Sequence, residues 1–210
     1  MPDFSDHIKI IVGLLAIVNP PSVVPVFLQL TEGQGEFRRH RFAFVAGMTV
    51  AGVLVVAALV GRYILEGLGI GTDSFKVGGG ILLLMTAIAM MQGELSKSKQ
   101  SPEEAVEAGA KDEVAVVPLG IPLLAGPGAI TTVILNSEQA GSAQQIAVLY
   151  GGIVLVALAT WGTLRLAGKM QEILGRTGIN IIGRVMGLLL AAIAIEFIAK
   201  GLAALLPGLG

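Results

Sequence analysis

The sequence predicts an all-α, polytopic membrane protein: six transmembrane helices in a 3+3 inverted repeat, with helices 1 and 4 discontinuous. Three observations predict it. Hydrophobic residues make up 54% of the 210 residues and charged residues 14%, with a mean hydropathy of +0.81, outside the range of soluble globular domains. Six apolar windows of about 20 residues, the length that crosses a bilayer as a helix, lie near 8–30, 41–61, 75–92, 114–135, 145–165 and 183–205. Finally, two clusters of helix breakers interrupt the first and fourth windows, with Pro20 and Pro127 standing 107 residues apart.

In the first window, residues 8–18 read as a half-helix closed by Asn19-Pro20-Pro21. A proline removes a backbone donor, clashes with the preceding turn and restrains the residue before it, so two in succession end the helix. Ser22 to Leu30 resumes, with Pro25 in the first turn of the restarted helix. Asp3 and Asp6 precede the window where a signal peptide would be basic, and no small-residue cleavage pattern is present, so it is expected to stay as a mature helix. A polar, basic loop, Thr31 to Arg41, leads to span two, whose Gly47, Thr49 and Gly52 are small residues of the kind that let helices approach closely in lipid. Gly67, Gly69 and Gly71 then turn the chain, Asp73 or Ser74 is the expected cap of span three, and Gly78-Gly79-Gly80 lies early in it.

Gly93 to Glu113 is the long hydrophilic stretch, expected as a cytoplasmic linker (93–113) between a first three-helix repeat (1–92) and a second (114–210). Ser101-Pro102-Glu103-Glu104 fits a capping box with proline at the first helical position, the signature of a short helix. Span four runs from Val114 through Pro118 and Pro122 to the break at Gly126-Pro127-Gly128, and Ala129 to Leu135 restarts as helix. Span five carries Tyr150, Thr160, Trp161 and Thr163 and closes at Arg165 and Lys169. Gly175, Gly178 and Asn180 are expected to form the next turn, and span six holds Gly183 and Gly187, then Glu196 and Lys200 near its outer end.

At an offset of 107 the halves align without gaps. Gly13 falls on Gly120, Pro20 on Pro127, Gly61 on Gly168, Gly71 on Gly178, Gly80 on Gly187, and Ala87-Ile88 on Ala194-Ile195. Three spans is an odd number, so the second half must enter the membrane from the opposite side. Inverted repeats with interrupted helices in equivalent places are a pattern of secondary transporters, which bind substrate at the midplane. Four Lys and Arg (Lys9, Arg62, Lys76, Lys200) fall on one side and the other ten on the opposite side. The positive-inside rule places both termini of this multi-pass inner or plasma membrane protein outside the cytoplasm.

Unpaired backbone cannot face lipid, so both breaks are expected inside the protein or on a wet cavity. Each restarted helix would present free N–H groups and a positive dipole end to a carboxylate. The carbonyls around Val18 and Ala125 would take an ammonium. Asn19, Pro20, Pro21, Ser22, Gly126, Pro127, Gly128, Ala129, Thr131 and Thr132 are therefore the candidate substrate-binding residues, with Gly126 and Gly128 allowing close approach to the backbone. Proline and glycine also simply kink membrane helices, but two breaks at repeat-equivalent places weigh against that alone.

Glu196 is the carboxylate well inside an apolar run and a candidate for proton or ion coupling. Lys200, one turn on, can pair with it, and the two as interface residues are the favoured reading. His7 and His40 are expected at opposite membrane faces, Tyr150 and Trp161 as packing residues, and Gly183 with Gly187 as a close helix contact. Cysteine is absent, and no His-Glu-x-x-His, Gly-x-Ser-x-Gly or Walker pattern occurs. Catalytic residues, metal ligands, cofactors and nucleic-acid partners are therefore not expected.

Asn19-Pro20 followed by Pro25, Gly78-Gly79-Gly80-Ile81-Leu82, and above all Pro118-Leu119-Gly120-Ile121-Pro122-Leu123-Leu124-Ala125-Gly126-Pro127-Gly128-Ala129-Ile130-Thr131-Thr132 resemble the MarC family of bacterial and archaeal inner-membrane proteins. The likeness covers essentially the whole chain, with Pro21 standing where many members carry Leu, Ile or Phe. The resemblance implies six spans and transport of glycine, alanine and similar amino acids, driven by an ion gradient. The expected function is a secondary transporter of small zwitterionic amino acids in the lipid bilayer, with H⁺ or Na⁺ as coupling ion. An ion or metal-ion channel and a non-transporting membrane scaffold are the alternatives.

Overall fold

The computed structural model describes residues 4–93 and 124–206, and the described residues are helical almost throughout. The first window forms α1 (Phe4–Val18), a 3-10 turn (Pro20–Val23) and α2 (Val24–Leu30). Then come α3 (Glu36–Leu68), α4 (Thr72–Gln92), α5 (Pro127–Gln139), α6 (Ala143–Arg165) and α7 (Ala167–Leu205). Five stretches are long and apolar enough to cross a membrane: His7–Leu30, Glu36–Leu68, Thr72–Gln92, Ala143–Arg165 and Thr177–Leu205. The expected first half of span four, the linker and its capping box lie outside the described residues.

Helix ends follow local chemistry, with some departures from expectation. Helix α3 starts within the stretch expected as a loop; at 33 residues it is about 50 Å long, well beyond a bilayer core of about 30 Å. It ends where Gly69 turns left-handed (φ 67°) and the N–H of Ile70 bonds back to the carbonyl of Leu65, the six-to-one closure that glycine permits. Neither Asp73 nor Ser74 caps α4; Gly71 precedes it in extended conformation without a side-chain cap. Ser142 does cap α6, its Oγ accepting the N–H of Gln145 at 3.3 Å. Of the three residues expected to turn the chain before span six, only Gly175 leaves helical geometry (φ 62°, ψ 176°). Gly178 and Asn180 carry hydrogen-bonded helix straight on.

Lipid tails are as apolar as leucine, so these helices associate through close packing more than through the hydrophobic effect. The longest contact joins α4 and α7, which run antiparallel. A Cβ on Gly80 would lie 2.7 Å from Ile198 and 3.0 Å from the Ala194 carbonyl oxygen, and one on Gly187 would lie 3.0 Å from the Ala87 carbonyl oxygen and 3.1 Å from Met91. Gly201 fits equally tightly against Asp73 and Val77. Helix α3 packs on α6 where Gly47 meets Ala157 and Trp161, and α1 packs on α6 where Ile11 meets Gly152. Short α5 is wedged between α3 and α4: Ile134 seats on Gly61, Thr131 on Gly79, and Leu83 covers Gly128. Gly128, Ala129 and Thr131 to Leu135 are all buried, as expected of a helix enclosed by other helices. Val56, Leu59, Ile81, Met85, Val154, Leu158, Leu188 and Leu189 are exposed on the outer surface, the apolar belt a bilayer covers.

Replacing Gly80 or Gly187 by Ala should lower stability by about 1–3 kcal/mol through overpacking of the α4/α7 contact. Gly183→Ala should hold or raise it by up to about 1 kcal/mol, because nothing lies within 4 Å of a Cβ at Gly183. Thermal unfolding of the three variants in detergent checks the contrast.

Candidate functional site

The second breaker cluster lies against the end of the helix that the first one closes. Gly128, one residue into α5, lies against Ile17 near the end of α1, a Cβ there standing 3.5 Å from Ile17 Cγ2. The 3-10 turn between α1 and α2 packs on α6 and α7. Asn19, Pro20, Gly128, Ala129, Thr131 and Thr132 are buried, Pro21, Ser22 and Gly126 are half-buried, and Pro127 is exposed.

Accounting for backbone groups separates the two clusters chemically. Pro20 and Pro21 have no N–H, so the carbonyls of Ala16 and Ile17 lose the donors that a continuing helix would supply. Val18 loses its own as well, because the N–H of Ser22 goes to the Asn19 carbonyl at 3.1 Å. The Ser22 hydroxyl donates to that same oxygen at 2.8 Å. The first cluster is thus rich in acceptors and poor in donors, which corrects the expectation that each restarted helix presents free N–H groups.

At the second cluster Gly126 is extended, its carbonyl accepts the N–H groups of Ala129 and Ile130, and α5 starts at Pro127. The N–H of Gly128 has no backbone partner among the described residues. It sits at the positive end of a 13-residue helix, whereas α2 has only 7 residues and a 3-10 turn ahead of it. Donor character therefore concentrates at the second cluster.

Asn19 lies between them. It is the non-glycine residue with positive φ among those described (φ 44°, ψ 66°). Asparagine tolerates this region better than most residues, at a cost of about 1–3 kcal/mol. It is 2% exposed, and neither its Oδ1 nor its Nδ2 has a hydrogen-bond partner among the described residues. Two unsatisfied buried polar atoms in one side chain cost about 1–3 kcal/mol each, so the site holds a strained residue whose amide no protein group uses.

The hydroxyls are less available than the sequence suggests. Thr132 donates to the Gly128 carbonyl at 2.8 Å, a bond within its own helix, and Thr131 packs its side chain on Gly79 of α4. Glu196 is exposed on the outer surface and pairs with Lys200 at 2.8 Å, away from both clusters. His40 approaches Glu36 at 3.7 Å. Trp161 packs on Gly47 and carries the Arg165 guanidinium 5.4 Å above its ring.

The sequence reading missed two features at the ends of the molecule. At one end, an open cavity of 820 Å³ lies between the end of α2, the start of α3 and the first turns of α7, lined among others by Glu32, Arg39 and Glu172. At the other, the Thr72 hydroxyl bonds Glu138, and Ser137 donates to the Ala58 carbonyl at 2.7 Å, tying α5 to α3 and α4. Both arise from residues far apart in the chain.

The helices and their apolar belt define a multi-pass integral membrane protein. The whole described length, residues 4–206, matches the MarC family integral membrane protein profile, and the chain belongs to that family. It is 40% identical over 207 residues to the UPF0056 membrane protein YhcE of Escherichia coli, covering 99% of this chain and 96% of that one. A UPF0056 membrane protein of Aquifex aeolicus is 37% identical over 199 residues (95% and 93% covered). One from Methanocaldococcus jannaschii is 37% identical over 190 residues (90% and 92%). No solved structure matches the chain.

Asn19→Gly should leave stability unchanged or improve it, since glycine holds φ 44° without strain and removes two unsatisfied atoms. Asn19→Ala removes the same two atoms but meets the left-handed penalty, so it should be less stable than Asn19→Gly by about 1–2 kcal/mol. Melting temperatures in detergent distinguish the two.

Proposed function

We propose that this protein is a secondary transporter of small neutral amino acids of the glycine and alanine class, with substrate bound between interrupted helices 1 and 4. The observation that carries the reading is the chemical split between the two clusters. The carbonyls of Ala16, Ile17 and Val18, which lack their helical donors, suit an ammonium; the N–H of Gly128 at the α5 N-terminus suits a carboxylate. The unused amide of Asn19 offers both donor and acceptor. Together these groups complement a zwitterion, and the tight surroundings of Gly128 favour a small side chain.

Helix packing supports a 3+3 inverted repeat of six spans (1–92 and 114–210, joined by 93–113). Gly80 meets Ala194 and Ile198; adding 107 to Gly80 and subtracting it from the partners gives Gly187 meeting Ala87 and Met91, which is the contact found. Such reciprocity is what a two-fold axis between α4 and α7 produces. At 13 residues α5 is about 20 Å long, two-thirds of a bilayer core of about 30 Å, consistent with a helix that starts at membrane depth. On this reading Pro20 and Pro21 lie at the first break, and Gly126 and Pro127 at the second.

The two ends differ, as alternating access requires. The 820 Å³ cavity opens at the end bearing Arg38, Arg39, Arg41, Arg165 and Lys169, read as cytoplasmic. At the opposite end Ile134 fills the space over Gly61, and the Thr72 to Glu138 bond closes α5 on α4. Transport would open that second end as the first closes, driven by an H⁺ or Na⁺ gradient. The exposed, paired position of Glu196 gives no support to a coupling role for it.

Reconstituted protein should show saturable glycine or alanine uptake, and Asn19→Gly should raise KM about tenfold or more, the loss expected for hydrogen bonds to charged groups, without loss of folded protein. Absence of saturable uptake, or ohmic conductance in a planar bilayer, would overturn the reading.

A further inference from the structure

We propose that the cavity at the basic end is a receiving site for the substrate, in which Arg39 takes its carboxylate before it reaches the breaks. This rests on the transport reading above. The cavity walls carry Gln29, Glu32, Arg39, Gln171, Glu172 and Asn180, a set with one cation, two anions and three neutral amides.

Arg39 is half-buried, its Nε is out of contact with solvent, and that nitrogen has no hydrogen-bond partner among the described residues. Its Nη1 rests against Gly168, 3.7 Å from where a Cβ would stand, so the absence of a side chain there makes room for the guanidinium. Three cations of the described helices have anionic partners one turn away: Arg62 with Glu66, Lys76 with Asp73, Lys200 with Glu196. Arg39 has no such pair among the described residues, although Glu32 and Glu172 line the same cavity. A partly desolvated cation without a counter-ion is costly, and a carboxylate in the cavity offsets that cost with bonds a planar fork is shaped to make.

The two carboxylates suit the other end of the same ligand. Glu32 and Glu172 are exposed and free to turn toward an ammonium, with Gln29, Gln171 and Asn180 supplying donors and acceptors between. A cavity of 820 Å³ is far larger than glycine, so it is a wet vestibule that concentrates zwitterions, and the breaks remain the tight site.

The charges are not part of the repeated scaffold. At the offset of 107, Glu32, Arg39 and Glu172 correspond to Gln139, Ile146 and Leu65, all uncharged. A site built by these charges serves one face of the membrane only, which gives its test a direction.

Glycine transport is measured in inside-out and right-side-out membrane vesicles, which present the cytoplasmic and outer faces respectively. Arg39→Gln should raise KM about tenfold or more from the cytoplasmic face, with KM from the outer face within about twofold of the parent. Arg39→Lys, keeping charge but losing the fork, should fall between. Equal changes from both faces, or none, overturn the proposal. If Arg39→Gln does not fold, Glu172→Gln with Glu32→Gln tests the ammonium half by the same one-sided rise, and no rise overturns it. An effect of Arg39→Gln that appears only in proteoliposomes containing anionic lipid would assign the arginine to a headgroup phosphate and also overturn the proposal. Wild-type protein that carries no glycine from either face removes the transport reading itself, a result distinct from all of these.

Discussion

The constraint on which the rest depends is that a peptide group inside a membrane must find a hydrogen-bond partner. Two consecutive prolines in an apolar helix cancel the donors for two carbonyls, and Asn19 turns left-handed between them and the helix. Such a segment cannot face lipid. It is enclosed instead, with Val18, Val23, Val24 and Phe27 buried on either side, α6 and α7 packed on it and α5 on the helix before it. The cost of the interruption thus dictates where the segment lies: at the centre of the bundle, where other helices supply walls.

Enclosure in turn requires helices that approach closely. Gly79, Gly80, Gly128, Gly187 and Gly201 sit where a Cβ would come within 3.0 Å of a neighbour, and most of these contacts involve α4. That helix meets α7 along its length and receives Thr131 and Gly128 of α5 on another face. A compact bundle with short helices at its centre therefore depends on one glycine-rich helix being narrow on two faces. Gly78, by contrast, has open space at its Cβ position; of the three consecutive glycines only the last two point at helices.

Much of this was legible in the sequence, and the limits have physical reasons. Hydropathy located five helices that the structure describes, because apolar length is a local property. The two breaker clusters were legible because proline acts on its own backbone. Helix ends were less so: span windows stop at the edge of apolarity, yet α3 continues as helix through Arg38, Arg41 and Arg62, where water can cover polar side chains without breaking backbone bonds. That the hydroxyls of Ser22 and Thr132 donate to carbonyls three or four residues back was not legible, because that competition is invisible in a residue list. Arg39 looked like one loop charge among several; that it lines a cavity follows only from where α7 begins, more than a hundred residues later.

The two clusters also differ in a way that repeat logic alone would not give. A symmetric pair of breaks would present the same groups twice, and a zwitterion is not symmetric. Pro21 falls opposite Gly128 in the repeat alignment, so one half loses an N–H where the other keeps one. With Pro20 matched by Pro127, a single further substitution makes the first cluster an acceptor and leaves the second a donor. On the transport reading, that one difference orients the substrate, carboxylate toward α5 and ammonium toward the end of α1, without any charged side chain at the site. A site made of backbone groups exerts weaker fields than ion pairs but carries no net charge to desolvate when empty, which on that reading suits binding and release of a neutral ligand.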